Sequence, residues 1–308
     1  MRRVAAIVSF VMLVPAVSVG ATELEDLLEQ SGEAAYSAEQ AISCSTPDGV
    51  RDAVVRISQS GGEIRVASVV GDEVEVKSGD GDWTLSREGG VVSSTAVEAE
   101  DAHIEPLYVV EELGETRALG RASTAYRLVR DDVTRAELVF DDETGVMMAT
   151  TTFTRDGGTY CQRRFISFDP TDPGVAEIAL SSETEELVPT PGVDSMLPDM
   201  VAGFQRLDLY EDELGFRFGY YSDGFFSFAV FETPSTVALD GAQRVQMVDA
   251  EYLRTFTPGQ ATYVWEARSG GMALVGDLPP DLHEEVLAAL PAPDNPNLFR
   301  RLWRSLFG

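Results

Sequence analysis

The stretch TRAELVFDDETGVMMATTTFT, residues 134–154, decides the fold, because it contains a complete β-hairpin pattern. Two runs rich in β-branched and apolar residues, 134–141 and 146–154, flank an acidic, glycine-containing segment at 142–145. So short a connection is typical of antiparallel strands, since parallel strands need a crossover of a dozen or more residues. The sequence therefore predicts an antiparallel sheet at this point.

The same pattern continues on both sides of this hairpin. Glycine- or aspartate-rich turns separate further predicted strands at 53–60, 63–70, 73–77, 83–87, 91–98, 122–130 and 159–168. Leu24, Leu27 and Leu28 fall at helical spacing and predict a short amphipathic helix at 22–38, and a helical or irregular interruption is expected at 102–114. About nine strands with one or two helices predict a strongly bent antiparallel sheet covered by helices.

A second β-rich unit follows a segment with the composition of a linker. Residues 169–192 contain four prolines and an acidic run. Strands are then predicted at 204–210, 214–222, 225–232, 242–247, 261–268 and 272–277, and a helix that begins at a proline at 280–290. The predicted fold class is α+β and mostly antiparallel β. The expected parts are a signal peptide, a large β-rich domain, a linker, a smaller β-rich domain and a linker with a tail, at 1–21, 22–168, 169–192, 193–290 and 291–308.

The composition excludes one class of function. The 308 residues include 52 acidic and 23 basic ones, for a formal net charge of −29. Sequence-independent binding of nucleic acid depends on clusters of basic residues that neutralise phosphates, so no nucleic-acid partner is expected. Hydrophobic residues make up 44% of the chain, which is enough to bury an ordinary core.

The first residues predict export. Arg2 and Arg3 precede an almost unbroken apolar run at 4–19, and small residues follow at a suitable cleavage position. This order is typical of a secretory signal peptide, although an uncleaved membrane anchor is the alternative. We expect a periplasmic or other extracytoplasmic location. Because that environment is oxidising, Cys44 and Cys161 are expected to form a disulfide, with two unpaired cysteines as the alternative.

Catalytic and metal-binding motifs are missing from the sequence. Its two histidines, His103 and His283, lie in different predicted domains, and His283 is not part of an H-E-x-x-H motif. The chain has no G-x-S-x-G elbow, phosphate-binding loop or dinucleotide-binding motif. We therefore expect neither an enzyme nor a cofactor or metal; a hydrolase that uses only carboxylates is the alternative.

The segment YYSDGFFSF, residues 220–228, is the most unusual part of the second unit. Asp223-Gly224 is a strong signal for a two-residue hairpin turn, and aromatic residues occupy both faces of the following strand. These aromatics either belong to the core or present one row to a partner. The candidate partner-binding residues are Tyr221, Ser222, Asp223, Gly224, Phe225, Phe226 and Phe228.

The tail at 297–308 is a second candidate contact. Its apolar residues form one stripe of a helix, and three arginines give it a local charge of +3. A basic amphipathic helix fits an anionic membrane surface or a groove on a partner, and docking onto its own domains is the alternative. The candidate residues are Leu298, Phe299, Arg300, Arg301, Leu302, Trp303, Arg304 and Phe307.

In several of its motifs the chain resembles the MucB/RseB family, exported regulators of envelope-stress sigma factors. The resemblance spans most of the chain after the predicted signal peptide, and its motifs occur in the family's order. They are GRAS at 120–123, AELVFDDETGVMM at 136–148, Leu197-Pro198, Gly203-Phe204, YSDGFFSFAVF at 221–231 and VGDLPP at 275–280.

The resemblance implies a large domain like the lipoprotein carrier LolA, an unclosed β-barrel whose helices line an apolar cavity. It also implies a smaller domain that binds the extracytoplasmic part of a membrane anti-sigma factor, and so keeps a sigma factor inactive until a ligand enters the cavity. Lipopolysaccharide is a poor candidate ligand, because it is anionic and the chain is strongly acidic.

Two functions follow from these patterns. The first is a binding regulator in which residues 221–228 contact the anti-sigma factor and the cavity acts as a sensor. The second is a carrier of lipid or lipoprotein acyl chains. Peripheral membrane contact through the tail suits both, and the sequence does not determine the oligomeric state.

Overall fold

A computed structural model describes most of the chain outside its two ends and several loops. The described residues are 17–19, 21–60, 63–68, 74–77, 107–174, 197–211, 217–233, 242–257, 260–267 and 270–294. The predicted strands at 83–87 and 91–98, most of the predicted linker and the whole tail at 297–308 lie outside them. Of the predicted signal peptide, only 17–19 and Ala21 are described.

Within the described residues the first sheet has ten strands, and every neighbouring pair in it is antiparallel. A helix, α1 (Ala21–Glu33), lies in the same half of the chain. The strands are β1 (Val17–Val19), β2 (Tyr36–Thr46), β3 (Gly49–Ser60), β4 (Glu63–Ser68), β5 (Val74–Lys77), β6 (Val109–Ala118), β7 (Arg121–Arg130), β8 (Val133–Asp141), β9 (Met147–Phe153) and β10 (Thr159–Asp169). Their order across the sheet is β1-β6-β7-β8-β9-β10-β2-β3-β4-β5.

The described part of the second unit forms a sheet of eight strands, which is also antiparallel throughout. Its strands are β11 (Met200–Val201), β12 (Phe204–Glu211), β13 (Arg217–Ser222), β14 (Ser227–Thr233), β15 (Gln243–Met247), β16 (Ala250–Thr257), β17 (Gln260–Ala267) and β18 (Gly270–Gly276). They lie in the order β11-β12-β13-β14-β18-β17-β16-β15, and helix α2 (Pro280–Ala289) follows the last strand. Within the described residues the two end strands of each sheet do not pair with each other.

The predicted fold class, mostly antiparallel β with a few helices, is confirmed. Two local predictions were wrong. Helix α1 ends at Glu33, and residues 36–38 belong to β2, which pairs with β3 and β10. The expected interruption at 102–114 includes the start of β6, a regular strand from Val109. Strands β2, β11 and β16 were not predicted; in β16 the adjacent apolar residues Tyr252 and Leu253 break the strict alternation that is typical of a half-buried strand.

Tight turns between neighbouring strands explain this topology. Asp131 and Asp132 join β7 to β8 with φ angles of 52° and 60°, and Val248 and Asp249 join β15 to β16 with φ angles of 49° and 60°. Two successive residues with positive φ are characteristic of the type I′ turn, whose twist matches that of antiparallel strands. Aspartate tolerates this conformation better than most residues, so the aspartate-rich turns favour hairpins.

The turn between β8 and β9 is held by a buried carboxylate. Asp141 is 1% exposed and accepts hydrogen bonds from Nε of Arg121 at 2.7 Å and from the backbone N–H of Thr144 at 3.0 Å. Burial acts to raise the pKa of Asp141, but the hydrogen bonds from Arg121 and Thr144 outweigh it and leave the pKa below its usual value. The acidic residues of this hairpin therefore stabilise the turn itself.

The largest apolar cluster contains side chains from both sheets. Leu128, Leu138 and Phe140 of the first sheet belong to the same buried cluster as Phe204 and Phe228 of the second. The two sheets therefore share a continuous core. Among the described residues, no helix combines the length and the apolar character that a membrane crossing requires.

Candidate functional site: the contact between the two sheets

The hairpin predicted to bind a partner connects β13 and β14, and most of its aromatic side chains are buried. Tyr221 and Phe228 lie opposite each other on the two strands, and their rings stack with centroids 5.0 Å apart. Phe226 is also buried, whereas Phe225 is half-buried and Gly224 is exposed. The structure therefore assigns Tyr221, Phe226 and Phe228 to the core, and the tip of the turn remains accessible.

Asp223, in the turn of this hairpin, makes a contact that the sequence did not reveal. Its side chain is buried and accepts a hydrogen bond from the hydroxyl of Tyr108 at 2.6 Å and another from Nη1 of Arg130 at 2.9 Å. The backbone N–H groups of Phe225 and Phe226 also donate to it, at 3.1 and 2.8 Å. Arg130 is the last residue of β7, and Tyr108 immediately precedes β6. Asp223 therefore joins the two sheets. We call Tyr108, Arg130 and Asp223 the latch.

Burial determines the electrostatics of the latch. It raises the pKa of the Asp223 carboxyl, while the hydrogen bonds from Tyr108 and the backbone and the charge of Arg130 act in the opposite direction. It also raises the pKa of the Tyr108 hydroxyl, and the adjacent Asp223 raises it further. Tyr108 is therefore a neutral donor to Asp223, and Arg130 supplies the compensating positive charge that a buried carboxylate needs.

Arg130 also reaches the start of the second unit. It donates through Nη2 to the carbonyl of Ala202 at 3.3 Å, and its guanidinium lies 5.8 Å from the centroid of the Phe204 ring. Gly203 has a φ of +85°, and a Cβ atom there would come within 2.6 Å of Nη2 of Arg130. The Gly203-Phe204 motif is therefore shaped by its contact with the first sheet.

Three further ion pairs cross the same contact. Arg135 pairs with Asp281, Arg163 with Asp277 and Arg155 with Glu285. As in the latch, each arginine belongs to the first unit and each carboxylate to the second. The partners Asp277 and Asp281 lie within and just after the VGDLPP motif at 275–280, so this motif too is positioned against the first sheet.

A cleft of about 520 Å³ lies beside these ion pairs. The turn between β9 and β10 contributes Thr154, Arg155 and Asp156 to its lining, and Tyr160 follows in β10. Strands β16 and β17 and helix α2 form the other side, where His283 is 1% exposed. The cleft is thus built from both units.

The remaining predicted residues fall in three places. Cys44 of β2 and Cys161 of β10 lie opposite each other in register and form a disulfide. The candidate tail residues at 297–308 are outside the described residues, as is His103. In the described part of the chain, no group of three or more histidine, cysteine, aspartate or glutamate side chains could hold a metal ion.

Comparisons with solved structures identify the same architecture elsewhere. MucB in complex with MucA(peri) superposes with a TM-score of 0.54 and 16% identity, covering 90% of this chain and all of that one. The Pseudomonas aeruginosa MucA/MucB complex gives 0.50 and 18%, covering 89% and 100%, and MucB alone gives 0.50 and 17%, covering 89% and 99%. No protein-family model and no curated protein matches the chain. The chain therefore has the MucB fold.

Proposed function

We propose that the chain is an extracytoplasmic regulator that binds the exposed part of a membrane anti-sigma factor and so restrains an envelope-stress sigma factor. The observation that carries this proposal is the shared fold, which extends over the whole length of MucB. Two of the similar structures are complexes of MucB with MucA. The ordered sequence motifs support it independently. The disulfide between Cys44 and Cys161 supports an oxidising location outside the cytoplasm.

A binding protein fits the polar groups of the site better than an enzyme does. The buried charges of the contact pair with each other across the two sheets, and each pair has an arginine and a carboxylate. Such pairs fix orientation, whereas general acid–base catalysis needs a titratable group that can reach a substrate proton. We therefore propose that the chain acts by binding and not by catalysis.

We propose that the partner contacts the accessible tip of the hairpin at 221–228. Ser222 and Phe225 are half-buried and Gly224 is exposed, so these three residues can be reached in the docked arrangement. Tyr221, Phe226 and Phe228 support the tip from the core, and Asp223 holds it against the first sheet. In this proposal the residues of the motif divide into a contact surface and its support.

The test uses the mature protein and the extracytoplasmic domain of the anti-sigma factor encoded in the same genome. Isothermal titration should give a micromolar or tighter complex, and Phe225→Asp should weaken it by about tenfold or more. Ile166→Asp is the matched control, because Ile166 is 45% exposed on the other sheet and the change in charge is the same. No binding by the wild-type protein would reject the function, whereas equal binding by both variants would reject only the site.

We further propose that the first sheet senses an apolar ligand such as a lipid or lipoprotein acyl chain. Tyr36, Phe165 and Phe168 pack their rings together beside the buried side chains of Ile57 and Met148. Mass spectrometry of lipids extracted from gently purified protein tests this proposal. Acyl chains should co-purify with the protein. If they are absent from protein that still binds its partner, the sensor proposal is rejected and the regulator proposal is not.

A further inference from the structure

The second sheet has an apolar row on its outer face, in addition to the face that lies in the shared core. Residues that lie directly opposite each other on neighbouring strands share one face of a sheet. The register of β12, β13, β14, β18, β17 and β16 aligns one apolar residue from each strand, and we call these six residues the outer row. They are Tyr210, Phe218, Phe231, Ala273, Val264 and Leu253. At about 4.8 Å per strand the row is roughly 24 Å long.

The inner face of the same sheet is covered by other parts of the molecule. Leu274 of β18 and Trp265 of β17 each follow directly after a residue of the outer row, so their side chains lie on the inner face. Both belong to the shared core, which also includes Leu282 and Val286 of α2 and side chains of the first sheet. Helix α2 and the first sheet therefore form the layer over the inner face.

The outer row is buried as well. Tyr210 is 1% exposed, Phe218 5% and Val264 2%. The ring of Phe218 stacks on that of Tyr210 with centroids 4.6 Å apart and on that of Phe231 with centroids 5.2 Å apart. A sheet that is apolar on both faces needs a packed layer on each of them. The burial of the outer row therefore indicates a second layer.

The last described residues lead from the inner face to the edge of the sheet. After α2, the carbonyl of Pro291 accepts a hydrogen bond from Nε1 of Trp265 at 2.9 Å, on the inner face. Three residues later the backbone N–H of Asp294 donates to the carbonyl of Glu266 at 2.8 Å. Backbone carbonyls of a strand lie close to the plane of its sheet, so the chain reaches this plane at Asp294. Fourteen residues follow, and they begin beside β17, two positions from Val264 of the outer row.

The tail at 297–308 has the length and the pattern of such a layer. As a helix its twelve residues would be about 18 Å long, which is comparable with the outer row. Its apolar residues form one stripe, and its three arginines lie on the opposite side. A helix this short gains most of its stability from packing its apolar face. The exposed carboxylate of Glu266, on the outer face, complements the positive charge of the tail.

We propose that the tail at 297–308 packs as a helix on the outer face of the second sheet, with its apolar stripe against the outer row. Its arginines then lie on the outer side of the helix, where an anionic membrane can still reach them. This inference does not depend on the proposed regulatory function, because it concerns contacts within one chain.

The first experiment measures whether Trp303 of the tail is protected from solvent. The mature protein is labelled with 5-fluorotryptophan, which gives three ¹⁹F signals, from Trp83, Trp265 and Trp303, and a Trp303→Phe variant identifies the third. A soluble gadolinium chelate relaxes the signals of accessible rings. The Trp303 signal of dilute native protein should be protected from the chelate, and this protection should be lost when the protein is unfolded in urea.

A variant of the outer row then tests where the tail binds. Ala273 is half-buried in the middle of the row, and Ala273→Lys places a long, positively charged side chain beneath the positively charged tail. We expect the protection of Trp303 to be lost in this variant. Ala53→Lys is the matched control, because Ala53 is half-buried in β3 of the first sheet and the change is the same. The control should keep Trp303 protected.

A spin label on the tail locates it without any change to the sheet. Both native cysteines are in the disulfide, so Ser305→Cys supplies a single thiol for the label. The label should broaden the amide signals of β14, β17 and β18 more strongly than those of β3 and β4 in the first sheet. This measurement decides the question if Ala273→Lys does not fold.

Three results would overturn the proposal. The first is a Trp303 signal that is as accessible in native protein as in urea; protection that then appears on adding anionic vesicles would identify the membrane as the occupant of the stripe. The second is equal protection in wild-type protein and folded Ala273→Lys, or broadening centred on the first sheet, which would place the tail elsewhere. The third is protection that disappears on dilution, which would identify a second copy of the chain as the contact.

Discussion

Replacing the buried carboxylate of the latch tests whether the two sheets are held together as the structure indicates. Asp223→Asn keeps the shape of the side chain and an oxygen that can still accept from the backbone of Phe225 and Phe226. It removes the negative charge opposite Arg130, whose side chain is only 13% exposed. Breaking a buried pair by removing one partner costs about 3–5 kcal/mol, and the retained backbone contacts place Asp223→Asn near the lower end, at about 3 kcal/mol.

Urea denaturation of the mature protein measures this loss as a lower midpoint with an unchanged slope. Glu39→Gln is the matched control, because Glu39 pairs with Arg56 on the surface, where the two side chains are 37% and 62% exposed and such a pair contributes less than about 1 kcal/mol. Arg130→Met combined with Asp223→Asn should cost less than the two single changes added together, since neither charge is then left unpaired. The reasoning is refuted if Asp223→Asn is no more destabilising than Glu39→Gln.

Three further predictions concern pH, the disulfide and the tail. The unfolded chain binds a proton at His283 below about pH 6.5, while burial lowers the folded pKa to about 3, so stability falls as the pH falls through this window. His283 alone should lower the free energy of unfolding by about 2 kcal/mol between pH 8 and pH 5, as measured by urea titrations at the two pH values. A His283→Gln variant with the same pH dependence as the wild-type protein would contradict this prediction. Replacing Cys44 and Cys161 by serine opens a loop with a sequence separation of 117 and should lower the free energy of unfolding by about 5 kcal/mol; a smaller effect than that of reducing the wild-type protein would count against the loop-entropy account. Deleting 297–308 should reduce pelleting with anionic liposomes, and an unchanged bound fraction would exclude the tail as a membrane contact.

Local turn chemistry made much of the fold predictable. The hairpin at 134–154 and the turn at Asp131 and Asp132 are encoded by a few adjacent residues, and the structure has both. The errors arose where the spacing was ambiguous. Ala34 and Ala35 continue the helical spacing of α1, yet the adjacent residue Tyr36 already pairs with β3, because sheet pairing outweighs a weak helical preference.

The latch could not be predicted from the sequence for a different reason. Asp223 was correctly placed in a hairpin turn, but its partners Arg130 and Tyr108 are 93 and 115 positions away in the chain. An aspartate in an Asp-Gly turn is normally solvated, and no local pattern distinguishes it from one that is buried against another sheet. The segment around it was singled out because it contains many aromatic residues, and most of these, Tyr221, Phe226 and Phe228 among them, belong to the core.

The direction of the four ion pairs has a consequence for the partner. All four arginines come from the first unit and all four carboxylates from the second, although both units are acidic by composition. The pairs Arg130–Asp223 and Arg135–Asp281 are largely buried, and Arg155–Glu285 is mostly exposed. Buried pairs add little net stability compared with apolar contacts, so their main effect is to select one orientation of the sheets. Because each of these four pairs is neutral, they leave the net charge of the rest of the molecule unchanged and strongly acidic, and a basic contact segment on the proposed anti-sigma partner is the electrostatic complement we expect.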